Sequence, residues 1–117
     1  MTKPSWLRVI GISGALAVLA GAFGAHGLTG KAAEWARTGS SYQLLHLAVA
    51  LALLLTLENK PAARLPILLF LVGGWIFAGT LYAMALGAPR WLGTVTPIGG
   101  VTLVIGWLVL ARRAPQL

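Results

Sequence analysis

The 117-residue chain has no cysteine, only two acidic side chains, and charged residues at just 9% of its positions. Without cysteine it cannot form a disulfide, bind a metal through thiolates or use a cysteine nucleophile. Soluble domains carry roughly 25% charged residues, so the low charge argues against a fully solvated surface. The composition is that of a membrane protein, and every thiol-dependent chemistry is excluded.

The two acidic residues, Glu34 and Glu58, lie between the apolar stretches and not within them. Ionisable residues inside a membrane span are functional candidates by default. Small four-helix drug exporters depend on a carboxylate in that position, and this chain does not place one there. The sequence therefore argues against a carboxylate-dependent exporter, and Glu58 is expected to pair with nearby Lys60 or Arg64.

Hydrophobic residues make up 58% of the chain, and the mean hydropathy is +0.86. Four apolar stretches cover residues 5–28, 39–57, 65–86 and 95–111, each near the roughly 20 residues that a helix needs to cross a bilayer. Because backbone groups in lipid must be satisfied within their own segment, these stretches are predicted to be helices. The expected fold is all-α: residues 1–117 form a single domain, a bundle of four transmembrane helices. Residues 29–38 are predicted to form a short amphipathic or interfacial connection.

The net charge of +7 is unevenly distributed along the chain. With alternating spans, one side of the membrane receives Lys3, Arg8, Lys60, Arg64, Arg112 and Arg113, and the other receives Lys31, Arg37 and Arg90. Cytoplasmic loops are enriched in lysine and arginine, which predicts a multi-pass protein of the bacterial plasma (inner) membrane with both termini cytoplasmic. The competing interpretation is a cleaved signal peptide ending near "AGA" at 20–22, although the first apolar run is long enough to span. A nucleic-acid partner is not expected, because the chain lacks a solvated basic face.

Glycines recur at spacings that place small residues on one side of a helix. Such stripes let two helix backbones approach closely in lipid. The glycines predicted to pack helices together are Gly14, Gly21, Gly24, Gly79, Gly99, Gly100 and Gly106. A closely packed bundle core is a simpler interpretation of the pattern than a glycine-lined pore.

Four motifs occur in order along the spans: "GAFGAHGL", "YQLLHLAVAL", "GWIFAGTLYAM" and "TPIGGVTLVIGW". Through them the chain resembles the DUF423 family, which includes the bacterial UPF0382 inner-membrane proteins and eukaryotic transmembrane protein 256. The resemblance implies a four-helix integral membrane protein and brings no established activity. It places the family's recurrent positions at His26, Gln43, His46, Gly79, Tyr82, Thr96, Pro97, Gly99, Gly100 and Trp107. The chain departs from the pattern at "FAGTLY", where Ala78 replaces an expected serine.

A candidate polar cluster is built on the second span. Tyr42 and Gln43 lie within one helical turn of His46, and Tyr82 of the third span is counted as a further member of the cluster. If the second span begins near residue 39, His46 lies about 10 Å deep. His26 ends the first span on the same, outer side, so the two histidines are placed where they could approach each other.

Three interpretations of this cluster remain open. The histidines can be neutral groups satisfied by neighbouring helices; His46, Gln43 and Tyr82 can form a ligand or proton site; or the two imidazoles can ligate a metal or haem. No catalytic residues, metal site or cofactor are expected, with haem or quinone as the alternatives. The predicted function is a non-enzymatic structural or accessory membrane component, and the alternative is small-molecule, proton or lipid handling at the outer-side cluster. The expected partners are the lipid bilayer and either further copies of the chain, forming a homo-oligomer, or a larger membrane complex.

Overall fold

The computed structural model describes residues 2–117, which form four long helices joined by short connections. The helices are α1 (Lys3–His26), α2 (Gly30–Thr56), α3 (Arg64–Ala85) and α4 (Thr96–Arg112). Short 3-10 turns occupy Pro61–Ala63, Arg90–Thr94 and Ala114–Gln116. All four helices are long and apolar enough to cross a membrane when α3 and α4 are each counted with the 3-10 turn that precedes it. The prediction of an all-α membrane bundle is confirmed.

The connection between α1 and α2 is much shorter than the sequence predicts. Residues 30–38, expected to be a separate interfacial segment, are the first turns of α2. The chain reverses within Gly27, Leu28 and Thr29, and Gly30 then adopts a φ of +60°, which glycine tolerates without a Cβ clash. The charges of Lys31, Glu34 and Arg37 had suggested a break, but they sit on a continuous helix.

The first turns of α2 also contact the connection between α3 and α4. The guanidinium of Arg90, in the connection between α3 and α4, lies 5.7 Å from the centre of the Trp35 ring on α2. A cation held over an indole face is attracted by the ring's negative π surface. This cation–π contact therefore stabilises the packing of the first turns of α2 against the connection that follows α3.

The helices α2 and α3 form the centre of the bundle, with α1 and α4 on its flanks. The buried share of the most apolar stretch is 39% for α2 and 44% for the α3 segment, against 22% for α1 and for the α4 segment. The main hydrophobic cluster lies in the half that contains both chain termini, and it includes Trp6, Leu54, Ile67 and Phe70. The opposite half packs through small residues such as Ala33, Ala36 and Ala78.

Four of the seven predicted packing glycines lie directly against another helix. A Cβ added at Gly21 would meet Ser40 Oγ at 2.7 Å, and one at Gly106 would meet Phe70 Cε1 at 2.8 Å. A Cβ at Gly24 would contact Arg37 and Ala36, and one at Gly99 would collide with the backbone nitrogen of Phe77. At these positions the absence of a side chain sets the distance between helices.

Gly14 and Gly79 do not pack helices together, contrary to the prediction. A Cβ at Gly14 would have no neighbour within 4 Å, and one at Gly79 would meet only Trp75 of its own helix at 3.6 Å. Gly100 is in ordinary contact with Phe77 at 3.7 Å. Spacing alone predicts that glycines share a face, but it does not say whether that face meets a helix or lipid. Gly39 was not among the predicted packing glycines, yet a Cβ there would lie 2.8 Å from the Tyr82 ring.

These contacts predict opposite effects for two identical substitutions. Gly99→Ala should destabilise the bundle by about 1–3 kcal/mol, because the new methyl group must push α3 and α4 apart. Gly14→Ala should be neutral or slightly stabilising, because alanine has the higher helix propensity and its methyl group meets open space. Thermal unfolding of both variants in mild detergent measures the difference, and equal midpoints would contradict the assigned α3–α4 contact.

Candidate functional site

Two members of the candidate polar cluster, Gln43 and Tyr82, form a hydrogen-bonded pair between the central helices α2 and α3. Gln43 lies midway along α2 and is 1% exposed. The Tyr82 hydroxyl of α3 donates a hydrogen bond to Gln43 Oε1 over 2.8 Å. Close approach of the two helices is possible because Gly39, one turn earlier on α2, leaves room for the Tyr82 ring. The amide nitrogen of Gln43, in contrast, is buried without a hydrogen-bond partner.

His46 is also buried, and both of its ring nitrogens are occupied. Nδ1 lies 2.7 Å from the backbone carbonyl oxygen of Tyr42, one turn earlier on the same helix. The indole N–H of Trp107 on α4 donates to His46 Nε2 over 3.0 Å. A carbonyl can only accept and an indole N–H can only donate, so these contacts define a neutral imidazole with its proton on Nδ1.

Aromatic rings enclose the His46 imidazole. The Phe70 ring centre lies 5.5 Å away, the Trp107 ring centre 5.8 Å away in an edge-on arrangement, and Phe70 and Trp107 also contact each other at 4.9 Å. Edge-on and tilted contacts at these distances are favourable for aromatic pairs. The side chain of His46 is thus held by a packed aromatic wall as well as by two hydrogen bonds.

Tyr42 contributes its backbone, and not its hydroxyl, to this arrangement. Its ring is 49% exposed and lies 4.7 Å from the Phe77 ring. It also lies parallel to the His46 imidazole, with ring centres 6.5 Å apart. The predicted single cluster therefore divides into a Gln43–Tyr82 pair and a His46–Trp107 pair.

The two histidines do not approach each other. Gly24, two residues before His26, lies against Ala36 of α2, and His46 follows Ala36 by ten residues. That places the imidazoles at levels roughly 15 Å or more apart along the bundle axis. His26 is exposed at the end of α1, whereas His46 lies past the midpoint of α2. The expectation of an outer-side site that includes both is wrong, because α2 begins nine residues earlier than the sequence suggested.

Ligation of a metal or haem by the two imidazoles does not fit this geometry. The two imidazoles are too far apart to bind one metal ion or to be the two axial ligands of one haem. Nε2 of His46 already accepts a hydrogen bond from the Trp107 indole. Within residues 2–117, no group of three or more histidine, cysteine or acidic side chains is positioned to hold a metal ion. The one unengaged buried polar atom among the described residues is the Gln43 amide nitrogen.

Three further polar contacts between helices were not predicted from the sequence. The Trp75 indole N–H donates to Ser13 Oγ over 2.7 Å, linking α3 to α1. Ser40 Oγ donates to the carbonyl oxygen of Ala17 over 2.8 Å, linking α2 to α1. The hydroxyl groups of Thr80 and Thr96 lie 2.6 Å apart, linking α3 to α4. Of these three contacts, the one made by Trp75 was indicated by the sequence, because an indole N–H deep in an apolar span needs a hydrogen-bond acceptor.

The His46 contacts predict a defined tautomer and a specific loss of stability. Nitrogen NMR of labelled histidine in the detergent-solubilised protein should show a proton on Nδ1 and none on Nε2. Trp107→Phe should destabilise the bundle by about 1 kcal/mol, because it removes a hydrogen bond between helices. Trp91→Phe is the control, since Trp91 is 64% exposed. A proton on Nε2 in the unmodified protein would contradict the Trp107 contact.

Comparisons with known proteins agree with this architecture. The family profile described as "Protein of unknown function (DUF423)" matches residues 20–100. A UPF0382 membrane protein of Haemophilus influenzae is 40% identical over 114 residues, covering 93% of this chain and 92% of the relative. The UPF0382 inner membrane protein YgdD of Escherichia coli is 35% identical over 123 residues, covering 100% and 94%. No solved structure matches the chain. The family profile spans most of the chain and the relatives nearly all of it, so this four-helix membrane protein belongs to the DUF423 family.

Proposed function

We propose that this DUF423 protein is a non-enzymatic structural or accessory component of the bacterial plasma membrane. The observation that carries the proposal is the use of both His46 ring nitrogens within the bundle, by the Tyr42 carbonyl and the Trp107 indole. A histidine that transfers protons, binds a metal or polarises a substrate needs a nitrogen free to contact it. His46 instead joins two helices.

The other polar groups of the spans support the same role. Trp75–Ser13, Ser40–Ala17, Gln43–Tyr82 and Thr80–Thr96 each cross from one helix to another. Together with His46–Trp107, they supply one side-chain hydrogen bond for five different helix pairs. Such groups stabilise a particular arrangement of helices in lipid, where apolar burial does little to favour one packing over another. The relatives' names describe membrane proteins and state no reaction.

The outer surface of α1 offers a place for another membrane helix. Gly11, Ala15 and Ala22 are exposed there, and a Cβ at Gly11 would meet nothing within 4 Å. Small exposed residues allow a neighbouring helix to approach closely. We therefore propose that the protein forms a homo-oligomer, or docks in a larger membrane complex, through this face of α1.

This proposal predicts a self-associated form that depends on α1. Native mass measurement of the full-length protein in mild detergent should give an oligomer, and Ala15→Leu should shift it to monomer. Val104→Leu, at an exposed position on α4, is the matched control and should leave the mass unchanged. A monomeric unmodified protein would contradict self-association and leave docking on another membrane protein to be tested by crosslinking from position 15.

A second candidate function, small-molecule handling, is favoured by the buried amide nitrogen of Gln43. This donor has no partner in the bundle, and an unsatisfied buried donor costs about 1–3 kcal/mol. A ligand carbonyl bound beside Gln43 would remove that cost. The same native mass measurement, combined with an absorption spectrum, distinguishes the two functions: a bound molecule or chromophore that Gln43→Leu removes would favour handling.

We also propose that both termini face the cytoplasm. The end of the bundle that carries them holds Lys3, Arg8, Lys60, Arg64, Arg112 and Arg113, and this excess of basic residues favours the cytoplasmic side. The names of the Escherichia coli relatives place those proteins in the inner membrane.

Reporter fusions test this orientation directly. A reporter fused after Leu117 should be active in the cytoplasm, and one inserted in the connection between α1 and α2, after Leu28, should be active only outside it. The end that carries both termini is assigned to the cytoplasm because it has the excess of lysine and arginine. If the Leu117 fusion reports the outside and the inserted reporter reports the cytoplasm, the proposed orientation is wrong. If both report the same compartment, the four-span topology is wrong.

A further inference from the structure

A basic pocket opens at the terminal end of the bundle, where α1, α2 and α3 meet. It has a volume of about 120 Å³. The polar residues on its wall are Lys3, Glu58, Asn59, Lys60 and Arg64, and Trp6 forms part of its apolar floor. Three basic residues and one acidic residue therefore line one small space, and together they carry a net positive charge.

The single carboxylate does not neutralise the pocket. Glu58 pairs with Lys3 at the start of α1, and not with Lys60 or Arg64 as expected from the sequence: Lys3 Nζ and Glu58 Oε2 are 2.8 Å apart. Within residues 2–117 the only other ion pair joins Lys31 to Glu34 at the far end of the bundle. Lys60 and Arg64 thus line the pocket without a carboxylate partner in the described part of the chain.

An apolar groove continues from this pocket along the cleft between α1 and α3. It has a volume of about 340 Å³ and is lined by Trp6, Val9, Leu68, Leu71, Val72, Trp75 and Ile76. Trp6 lines both cavities, and on α3 Arg64 of the pocket lies one helical turn before Leu68 of the groove, on the same face. From Leu68 to Ile76 the groove follows α3 for about 12 Å.

Together the two cavities match the shape and polarity of one phospholipid. An anionic headgroup requires cations at the depth where the helices leave the hydrocarbon, and the pocket supplies them at the ends of α1 and α2 and at the start of α3. An acyl chain requires a dry apolar surface that runs inward from the same point, and the groove supplies it. Basic pockets between transmembrane helices are a recognised means of holding anionic lipid headgroups.

We propose that this pocket and groove form a binding site for an anionic phospholipid, with the headgroup phosphate against Lys60 and Arg64 and one acyl chain between α1 and α3. The Lys3–Glu58 pair forms the rim of the site and holds Lys3 beside the headgroup. The site lies at the opposite end of the bundle from His26, and it is independent of the Gln43 amide and of the accessory function proposed above.

The test compares two lipids that differ only in their headgroups, one anionic and one zwitterionic. Full-length protein in mild detergent is titrated with phosphatidylglycerol or phosphatidylcholine of identical acyl chains, and the bound lipid is counted by native mass measurement. The protein should retain phosphatidylglycerol preferentially. A basic side chain near anionic lipid contributes about a five-fold change in binding, so Lys60→Gln/Arg64→Gln should weaken phosphatidylglycerol binding about twenty-five-fold.

A charge-matched control separates a site from general attraction. Arg8→Gln/Arg112→Gln removes two cations from the same end of the bundle, but neither residue lines the pocket. This variant should retain the preference for phosphatidylglycerol. Equal losses in the two double variants, or equal retention of the two lipids by the unmodified protein, would overturn the proposal.

A third variant tests the acyl chain. Val72→Trp fills the groove without changing charge, at a position that is 44% exposed, and it should weaken binding of phosphatidylglycerol. Soluble glycerol phosphate, which has the headgroup chemistry and no acyl chain, should not compete at concentrations equal to the lipid. Unchanged binding by Val72→Trp, or full competition by glycerol phosphate, would show an anion site and overturn the assignment to a lipid.

Discussion

The bundle depends on hydrogen bonds that side chains of one helix make to another helix. In lipid the burial of apolar side chains contributes little to helix association, because the tails are as apolar as the side chains. The arrangement of four helices must therefore be set by close backbone packing and by polar groups that require a partner. Here His46–Trp107 joins α2 to α4, Gln43–Tyr82 joins α2 to α3, and Trp75–Ser13 joins α3 to α1. The flanking helices α1 and α4 have the smallest buried share, and each is hydrogen-bonded to both central helices. For α1 the bonds are Ser40–Ala17 and Trp75–Ser13. For α4 they are His46–Trp107 and Thr80–Thr96.

The two halves of the molecule use different means to bring helices together. Near the termini, large side chains such as Trp6, Leu54 and Phe70 fill the space between helices. Toward the other end, small residues let the backbones meet, as at Gly24 with Ala36. The aromatic wall around His46 lies between these regions, because Phe70 and Trp107 extend the large-residue half toward the middle.

Much of the architecture was predictable from the sequence, because hydrophobic length and the positions of charge are direct consequences of the bilayer. That Gln43 and Tyr82 belong to one polar cluster was also predictable, since both residues are polar and lie within spans. The depth of His46 was not predictable, because the charges of residues 31–37 resemble a loop while the backbone continues as helix through them. The division of the polar cluster into two pairs depends on the rotation of each helix about its axis. That rotation is set by contacts such as Gly39 with the Tyr82 ring, which sequence spacing does not reveal.

The unequal lengths of the helices bear on how the molecule fits a bilayer. The 27 residues of α2 extend about 40 Å, whereas the 17 residues of α4 extend only about 26 Å, less than a hydrocarbon core of about 30 Å. The 3-10 turn before α4 rises about 2 Å per residue over its five residues and makes up the difference. The fourth crossing thus relies on a stretched, less strongly hydrogen-bonded turn at the membrane boundary, while α2 projects beyond the hydrocarbon or tilts within it. The α2 helix and the fourth crossing therefore match the thickness of the hydrocarbon in different ways. In a thicker membrane, the strain falls first on the turn formed by Arg90–Thr94.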